Sequence, residues 1–320
     1  GSIEVGDGVV TTTGALRGGF SVAADRKVSF SQGNLQYAAT AMDDYPAGTW
    51  RFATNQWDWI GGTYYASSEY TYSGNVYGTN GSTVTGGHRG NTLTNASGTS
   101  THWQDLFGYG TSGWNNNTQG ANTQYLPYSV GTSYQYYCYG QNLTGDYANA
   151  DWGVYNAIVN GGNAPGLWRT LTYDEIFYLI NTRDNHANLW SLGNVMGTNG
   201  LIILPDDWVL PDGSTFTPGV TANYTTANNQ YGTADKWNPM AAAGAVFLPV
   251  TSYRSGAGNQ NFGSYKNYGF YWTATRQNNN QYARVLYFGA GLNNNVLTGY
   301  TNTGGNTAYN AHCGLAVRLV

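Results

Sequence analysis

The sequence predicts an α+β fold made mostly of short antiparallel strands and long loops, with one or two helices. Short runs of alternating apolar and polar residues recur along the chain, which is the period of half-buried strands. Glycine, asparagine and serine separate these runs, and they favour turns over regular structure. The chain is 41% hydrophobic and holds 11 Trp, 28 Tyr and 10 Phe, which is enough apolar surface for a packed core.

The domain organisation predicted from the sequence is simple. No repeat of fixed period and no linker between domains is visible, so we expect one domain over residues 19–320. Residues 1–18 are small and polar and predict an N-terminal tether. Only 9% of residues are charged, against about 25% in an average soluble protein. Uncharged polar side chains must therefore supply solubility, as is common in extracellular, adhesive proteins.

The first half of the chain predicts strands, loops and buried turns. In Lys27–Tyr37 apolar residues alternate with serines at the spacing of a strand. The segment Thr49–Gly61 carries four aromatic residues, and the polar stretch 63–100 predicts long surface loops. Trp103–Trp114 is dense in aromatic residues and glycine, which indicates buried turns with close backbone contacts.

One helix is predicted over Leu171–Arg183. Thr172 and Glu175 have the spacing of a capping box, in which each side chain bonds the other residue's backbone N–H. Its apolar face is predicted to consist of Tyr173, Ile176, Phe177 and Ile180.

The second half predicts further strands. The short apolar runs 201–205 and 241–250 indicate buried strands. From Gly269 onward, strands and loops alternate quickly: 270–275, 282–289 and a short run within 293–299. The final residues 314–320 alternate as a strand, and a terminal strand tucked into a sheet ties the two chain ends together.

Several ordered segments together resemble one known family. They are "VSFSQGNLQY", "TWRFATNQWDWIG", "DLFGYGTSGWN", "DWGVYNAIVNGGNAPGLWRTLTYDEIFYLINTR", "GLIILPDDWVLPDG", "AAGAVFLPV", "YWTAT" and "AVRLV". In this order they resemble the C-type-lectin-fold variable proteins of diversity-generating retroelements, as found in gut Bacteroidetes, on the formylglycine-generating-enzyme-like branch of that fold. The resemblance runs from about residue 15 to residue 320.

The resemblance implies a mechanism of diversification. In such systems a retroelement copies a template repeat with errors at adenines and writes the copy over the 3′ end of the target gene. Asn codons consist largely of adenine, and their randomisation yields Asn, Tyr, His, Asp, Ser and others without a stop codon. The Asn triplets 278–280 and 293–295 therefore resemble unmutated template codons, and the variable region is expected over residues 260–320.

The residues of the tail also suggest a binding face without the family. A binding face needs replaceable side chains carried by a rigid frame. The expected frame is Tyr271, Trp272, Leu286, Phe288, Leu315, Val317 and Leu319. Tyr and Asn between frame positions supply contact area and adaptable hydrogen bonds, as in antibody loops. The candidate displayed residues are Tyr265, Asn267, Tyr268, Phe270, Arg276, Gln277, Asn278, Asn280, Tyr282, Tyr287, Asn293, Asn295, Tyr300, Asn302, Tyr309, Asn310 and His312.

Charge and hydropathy limit the classes of partner. Net charge is −4, which gives no support for nucleic-acid binding. After Asp235 the chain has six basic residues and no acidic one, and the basic residues are too dispersed for a phosphate-binding patch.

No apolar run is long enough to span a membrane. Gly1-Ser2 is typical of a cloning remnant, so we expect a removed leader and an extracellular or outer-membrane location. The expected partner is a protein or glycan on another cell, a phage or the host.

Two other classes of function were weighed. Asp206 and Asp207 follow a strand, and Asp212 with Gly213 marks a turn. Such loop carboxylates could hold calcium for a carbohydrate-binding lectin, although turn and capping roles are favoured. A structural tip protein with a fixed partner is the other alternative.

An enzyme is not expected, because the sequence has no nucleophile, phosphate-binding or zinc motif. Cys138 and Cys313 lack metal-ligand spacing, and whether they pair stays open.

Overall fold

A computed structural model describes most of the chain. The described residues are 2–5, 8–11, 13–39, 41, 44–60, 62–66, 69–73, 83–85, 103–114, 138, 140–254, 260–261, 268–277, 281–291 and 308–320. Over 2–5, 8–11, 62–66, 69–73, 83–85, 260–261 and 308–309 the description is of the backbone. The architecture is mixed α+β, with mostly short strands in small sheets and few helices.

The α-helices of the described ranges are short. They are α1 (Trp152–Tyr155), α2 (Tyr173–Asn181) and α3 (Ala234–Ala242). The predicted capping box is confirmed at the start of α2: Glu175 N–H donates to Thr172 Oγ1, and Thr172 N–H donates to Glu175 Oε1. Helix α3 was not predicted, because Pro239 lies inside it and proline is a poor residue for a helix interior.

The buried face of α2 differs from the predicted one. Ile176, Leu179 and Ile180 are buried, whereas Phe177 is 40% exposed. Phe177 lies one turn after Tyr173, and their rings are 6.4 Å apart at the helix surface. The aromatic residues therefore mark the outer side of this helix.

Strands are numerous and short. They are β1 (Ser2–Val5), β2 (Gly8–Thr11), β3 (Phe20–Ala23), β4 (Arg26–Val28), β5 (Leu35–Ala38), β6 (Thr49–Phe52), β7 (Gly62–Ala66), β8 (Glu69–Ser73), β9 (Thr83–Thr85), β10 (Trp190–Val195), β11 (Thr198–Ile203), β12 (Gln230–Tyr231), β13 (Val246–Pro249), β14 (Tyr253–Arg254), β15 (Gln260–Asn261), β16 (Tyr268–Arg276), β17 (Tyr282–Gly289) and β18 (Ala308–Asn310). Strands β7 to β9 lie where only surface loops were predicted, so that prediction is wrong for these residues. The predicted strand over 293–299 lies outside the described residues.

Two larger sheets organise the second half of the chain. A four-stranded sheet has the order β12-β10-β11-β13, with β12 parallel to β10 and the other pairs antiparallel. A three-stranded antiparallel sheet has the order β16-β17-β18. In it Tyr268 lies opposite Gly289, and Tyr282 lies opposite Asn310.

The carboxyl-terminal segment 314–320 connects the three-stranded sheet to residues 31–35 near the start of the chain. Ala316 exchanges backbone hydrogen bonds with Phe270 and Trp272 of β16. Ser31 N–H and Leu35 N–H donate to the carbonyls of Leu319 and Val317. The predicted tie between the two ends is thus confirmed, but the segment forms isolated β-bridges at residues 314–316 and not the predicted strand over 314–320. The packed region also begins before residue 19, since Leu16 is 4% exposed and bonds Phe30, so the predicted tether is too long at its carboxyl end.

The three-stranded sheet is buried on both of its faces. One face carries Tyr271, Leu286 and Phe288 into an aliphatic core that includes α2. The opposite face carries its residues into an aromatic core with Trp50, Phe107 and Trp152. A sheet with cores on both sides has no face free for solvent, so only its ends and edges remain accessible.

Glu175, in the first turn of α2, forms ion pairs with two arginines. Arg169 donates to both of its carboxylate oxygens at 2.7 Å, and Arg26 donates to Oε2 at 3.1 Å. Burial opposes ionisation, but the bonds from Arg169, Thr172 and Arg26 outweigh it and hold the pKa of Glu175 at about 2, below its ordinary 4.5. The carboxylate therefore stabilises the fold above pH 4.5, and its contribution is lost as pH falls toward 2.

We expect Glu175→Gln to lower the free energy of unfolding by about 2–3 kcal/mol at neutral pH. The difference in the free energy of unfolding between variant and wild type should become smaller as pH falls from 4.5 to 2, because the wild-type carboxylate is protonated over this range. Urea unfolding at several pH values measures this. The control is Asp174→Asn, an exposed neighbour in the same helical turn. A gap that stays constant over this pH range would show that Glu175 does not act through its charge.

Candidate ligand-binding face

The described part of the predicted face lies on strands β16 to β18 and the residues that follow β18. The candidate residues with described side chains are Tyr268, Phe270, Arg276, Gln277, Tyr282, Tyr287, Asn310 and His312. For Tyr309 the backbone is placed in β18. The candidates outside the described residues are Tyr265, Asn267, Asn278, Asn280, Asn293, Asn295, Tyr300 and Asn302.

Three of the candidates are core residues, so their predicted exposure is wrong. Phe270, Arg276 and Tyr287 are 1%, 6% and 7% exposed. Phe270 and Tyr287 belong to the aromatic core together with the frame residue Trp272. The Arg276 guanidinium lies over the ring of Tyr109, which is part of the same core.

The frame residues are buried as predicted. Tyr271, Trp272, Leu286, Phe288, Leu315, Val317 and Leu319 are each at most 4% exposed. Tyr271 also donates a hydrogen bond to the carbonyl of Pro249, and Trp272 donates one to the carbonyl of Phe107. These bonds fix the frame to both halves of the chain.

The remaining described candidates keep partial exposure. They are Tyr268, Gln277, Tyr282, Asn310 and His312. Tyr268 begins β16, Gln277 follows its last residue, and Tyr282 begins β17 opposite Asn310. The partly exposed candidates thus lie where strands end. Tyr268 lies at one end of the β16–β17 pair, whereas Gln277, Tyr282 and Asn310 lie at the opposite end, so the structure does not bring Tyr268 together with the others.

The carboxyl end of β16 is bonded to residues of the first half of the chain. Arg276 N–H donates to Asn142 Oδ1 at 2.8 Å, and its guanidinium lies 5.1 Å from the centre of the Tyr109 ring. Leu143 N–H donates to the carbonyl of Ala274. Arg276 therefore supports the turn from the core side, which explains why it is buried.

The other end of the sheet carries a row of aromatic rings, here called the aromatic ladder: Tyr253, Phe270, Tyr287 and Tyr268. The ring centres of Tyr253 and Phe270 are 5.5 Å apart, and those of Phe270 and Tyr287 are 4.8 Å apart. Tyr268 stacks on Tyr287 at 5.7 Å with an interplanar angle of 16°. Tyr253 and Tyr268 are its partly exposed members. Tyr253 was missed by the sequence analysis, because nothing local joins it to β16.

A second contact extends the face to helix α2. The Arg284 guanidinium lies over the Tyr173 ring at 4.5 Å from its centre. Arg284 and Tyr282 alternate with buried Ala283 and so share one side of β17. Sequence reasoning missed this pair, since the two residues are distant in the chain and neither belongs to a motif.

Half of the basic residues of the acid-free tail are structural. Arg254, Arg276 and Arg318 are buried, at 0%, 6% and 6% exposure. Arg318 alone donates to four oxygen atoms, which belong to Ser31, Asn34, Gln56 and Phe247. Three of the six positive charges of this region therefore lie in the interior.

Burial shifts the pKa of two groups near the face, the Cys138 thiol and the His312 imidazole. Cys138 and Cys313 are both buried and do not form a disulfide. Burial raises the pKa of the Cys138 thiol to about 12 against the opposing effect of Arg276, so this thiol is protonated at neutral pH. Burial also lowers the pKa of His312, which favours the neutral imidazole.

Asp206, the first of the aspartates considered for calcium, has structural partners. Asp206 accepts hydrogen bonds from the Ser21 N–H and hydroxyl, and it pairs with Arg183 and Lys27. Burial opposes its ionisation, but these partners hold its pKa at about 2. Within the described ranges, no three His, Cys, Asp or Glu side chains come together as metal ligands.

Over the described ranges no helix has the length and apolar character that crossing a bilayer requires.

Comparisons with protein-family models, with curated proteins and with solved structures give no match. The class of protein defined by the structure is therefore the coarse one, a mixed α+β protein of small sheets. Its function has to be inferred from the face at the ends of β16 to β18.

Proposed function

We propose that this protein is a surface-displayed ligand-binding protein on a C-type lectin fold, with residues 260–320 diversified by a retroelement. Its partner is a protein or glycan on another cell, a phage or the host. The observation that carries the proposal is the division of residues at the end of the chain. The apolar frame is buried on both sides, while Tyr268, Gln277, Tyr282, Asn310 and His312 keep partial exposure at strand ends.

This division is what diversification requires. A side chain at a strand end is replaceable at low cost, because the backbone hydrogen bonds and the two cores keep the strand in place. Half-exposed tyrosines supply large contact areas with few rotatable bonds, and Asn and Gln supply adaptable hydrogen bonds. The protonated, buried Cys138 thiol supports a role in binding over one in catalysis.

The binding prediction compares two double variants. Tyr268→Ser/Tyr282→Ser should stay folded and lose at least tenfold in affinity for whichever cell, phage or glycan the wild type binds in a panel. A few aromatic anchors carry most of the energy of a typical interface. The control is Tyr155→Ser/Phe177→Ser, whose rings are 41% and 40% exposed outside the tail. Binding that is unchanged by the first pair, or lost equally with the second, would place the ligand elsewhere.

The diversification part has its own test in the DNA. The gene should be followed by a near-copy of the codons for residues 260–320 and by a reverse transcriptase gene. Differences between the copies should fall at adenines of the template. A locus without these features would refute diversification and leave the binding face to be judged by the variants alone.

A further inference from the structure

The segment that follows β11 exposes two neighbouring aliphatic side chains, here called the apolar pair: Val209 and Leu210. Val209 is 76% exposed, more than any other large apolar residue in the described ranges, and Leu210 is 43% exposed. One exposed aliphatic side chain is ordinary in a folded protein. Two in succession form a small apolar surface that no described part of the chain covers.

The backbone on both sides of the apolar pair is held in place. Before the pair, Trp208 N–H donates to the carbonyl of Pro205 at 3.2 Å, and the Trp208 side chain packs against the core around Trp237. After the pair, Ser214 N–H donates to the carbonyl of Pro211 at 3.0 Å. The exposure of the pair is therefore a property of the fold.

A polar cleft of about 260 Å³ adjoins the apolar pair. Its walls are the turn at 212–215, residues of 227–231 and one side of α3. The Tyr231 hydroxyl donates to the carbonyl of Thr215 at 2.6 Å and so joins two of these walls. Pockets for whole ligands begin at about 300 Å³, so the cleft has room for one side chain.

The charged residues of the cleft are exposed and unpaired. They are Asp212, Asp235 and Lys236, and none of them forms an ion pair with another residue that the structure describes. Asp207, next to the apolar pair, is also exposed and without an ion pair in that part of the chain. Three carboxylates against one ammonium group make this surface negative, which is complementary to a positively charged partner.

The combination of charge and apolar surface distinguishes between kinds of partner. A membrane surface is anionic and would repel the three carboxylates. The hydroxyl groups of a glycan, placed against the apolar pair, would lose their hydrogen bonds to water without replacement. A basic protein segment with apolar residues fits both features.

We propose that the apolar pair and the cleft form a docking surface for a protein segment in which an arginine lies between apolar residues. A guanidinium group has five N–H donors and binds carboxylates well, so the arginine enters the cleft and bonds Asp212 and Asp235. The apolar neighbours of the arginine cover the apolar pair. Lys236 donates to a backbone carbonyl of the same segment. The surface lies outside residues 260–320, so the inference is independent of the proposed function.

The occupant is tested on the wild-type protein with three tripeptides, blocked at both ends, as probes. They are Leu-Arg-Leu, Leu-citrulline-Leu, in which a neutral urea group replaces the guanidinium, and Gly-Arg-Gly, which lacks the apolar side chains. NMR titration at low ionic strength should show saturable binding of Leu-Arg-Leu and about fivefold weaker binding of each of the others. No binding of Leu-Arg-Leu at millimolar concentration, or equal binding of either of the others, would overturn the proposal.

Two double variants test the position of the site with the same peptides. Asp212→Asn/Asp235→Asn should weaken the binding of Leu-Arg-Leu about fivefold and abolish its advantage over the citrulline peptide. Val209→Ser/Leu210→Ser should abolish its advantage over Gly-Arg-Gly. All four side chains are exposed, so both variants should unfold at the wild-type urea concentration. Wild-type affinity in either variant would place the peptide elsewhere.

The matched control is Asp174→Asn/Asp184→Asn, which removes two exposed carboxylates of other segments. It changes the net charge as much as Asp212→Asn/Asp235→Asn does, but it should leave the binding of Leu-Arg-Leu unchanged. If both aspartate pairs weakened binding equally, the peptide would respond to net charge alone and the docking surface would be refuted. These tests change no residue of the tail, so their failure is distinct from a failure of the binding panel or of the DNA test.

Discussion

Arg318→Met should lower the free energy of unfolding by about 3–5 kcal/mol, among the largest effects expected of any single change in this chain. The Arg318 side chain is buried and donates to the carbonyls of Ser31, Gln56 and Phe247 and to Asn34 Oδ1, at 2.9–3.2 Å. Methionine keeps much of the volume but leaves these acceptors without their donor in a site closed to water. Asn34 is in turn bonded to the Tyr271 hydroxyl, which bonds Pro249, so the loss spreads to the frame.

Urea unfolding measures this effect, and Arg17→Met is its matched control. Arg17 is exposed, with one hydrogen bond of 3.3 Å to the carbonyl of Ala242, so its replacement should cost less than about 1 kcal/mol. If Arg318→Met proves as mild as Arg17→Met, the buried network does not hold the chain terminus to the N-terminal segments and the fold described above is wrong there.

Phe270→Ala should be the second large effect, a loss of about 3–5 kcal/mol. Phe270 is 1% exposed and contacts the rings of Tyr253 and Tyr287 at 5.5 and 4.8 Å. Its removal leaves a cavity between two rings that the surrounding strands cannot close. The size of the loss also distinguishes a core position for Phe270 from a displayed one.

The matched control for Phe270→Ala is Tyr282→Ala in the adjacent strand. Tyr282 is also aromatic but only partly buried, at the start of β17, and its loss should cost about 1 kcal/mol or less. Both values come from the same denaturant titration. Similar costs for the two residues would mean that the tail does not divide into frame and display positions, and the proposed function would lose its main support.

The sequence predicted the elements that depend on neighbouring residues. The start of α2 follows from Thr172 and Glu175, whose side chains bond the backbone within one turn. Strands β16 and β17 follow from alternating aromatic and aliphatic runs. The buried turns around residues 103–112 follow from glycines between aromatic residues, and Gly110 indeed lies against Cys138. Each of these elements is specified by residues that lie within a few positions of one another in the sequence.

The candidate face was predicted less well, for a definable reason. Alternation along a strand separates the two sides of a sheet but does not say whether one side or both are covered. The exposure predicted for Phe270 and Tyr287 assumed one covered side. The chain segment 314–320 and the residues of α2 cover the sheet from elements far away in sequence, and no local pattern reports them.

What the sequence alone determined is the start of α2, the strands β16 and β17, the apolar frame of the tail and its excess of Asn and Tyr residues. Only the tertiary structure decided which of those residues are accessible, and that Arg254, Arg276 and Arg318 belong to the interior. The physical reason is that burial depends on what packs against a residue. In this protein the packing partners come from distant parts of the chain.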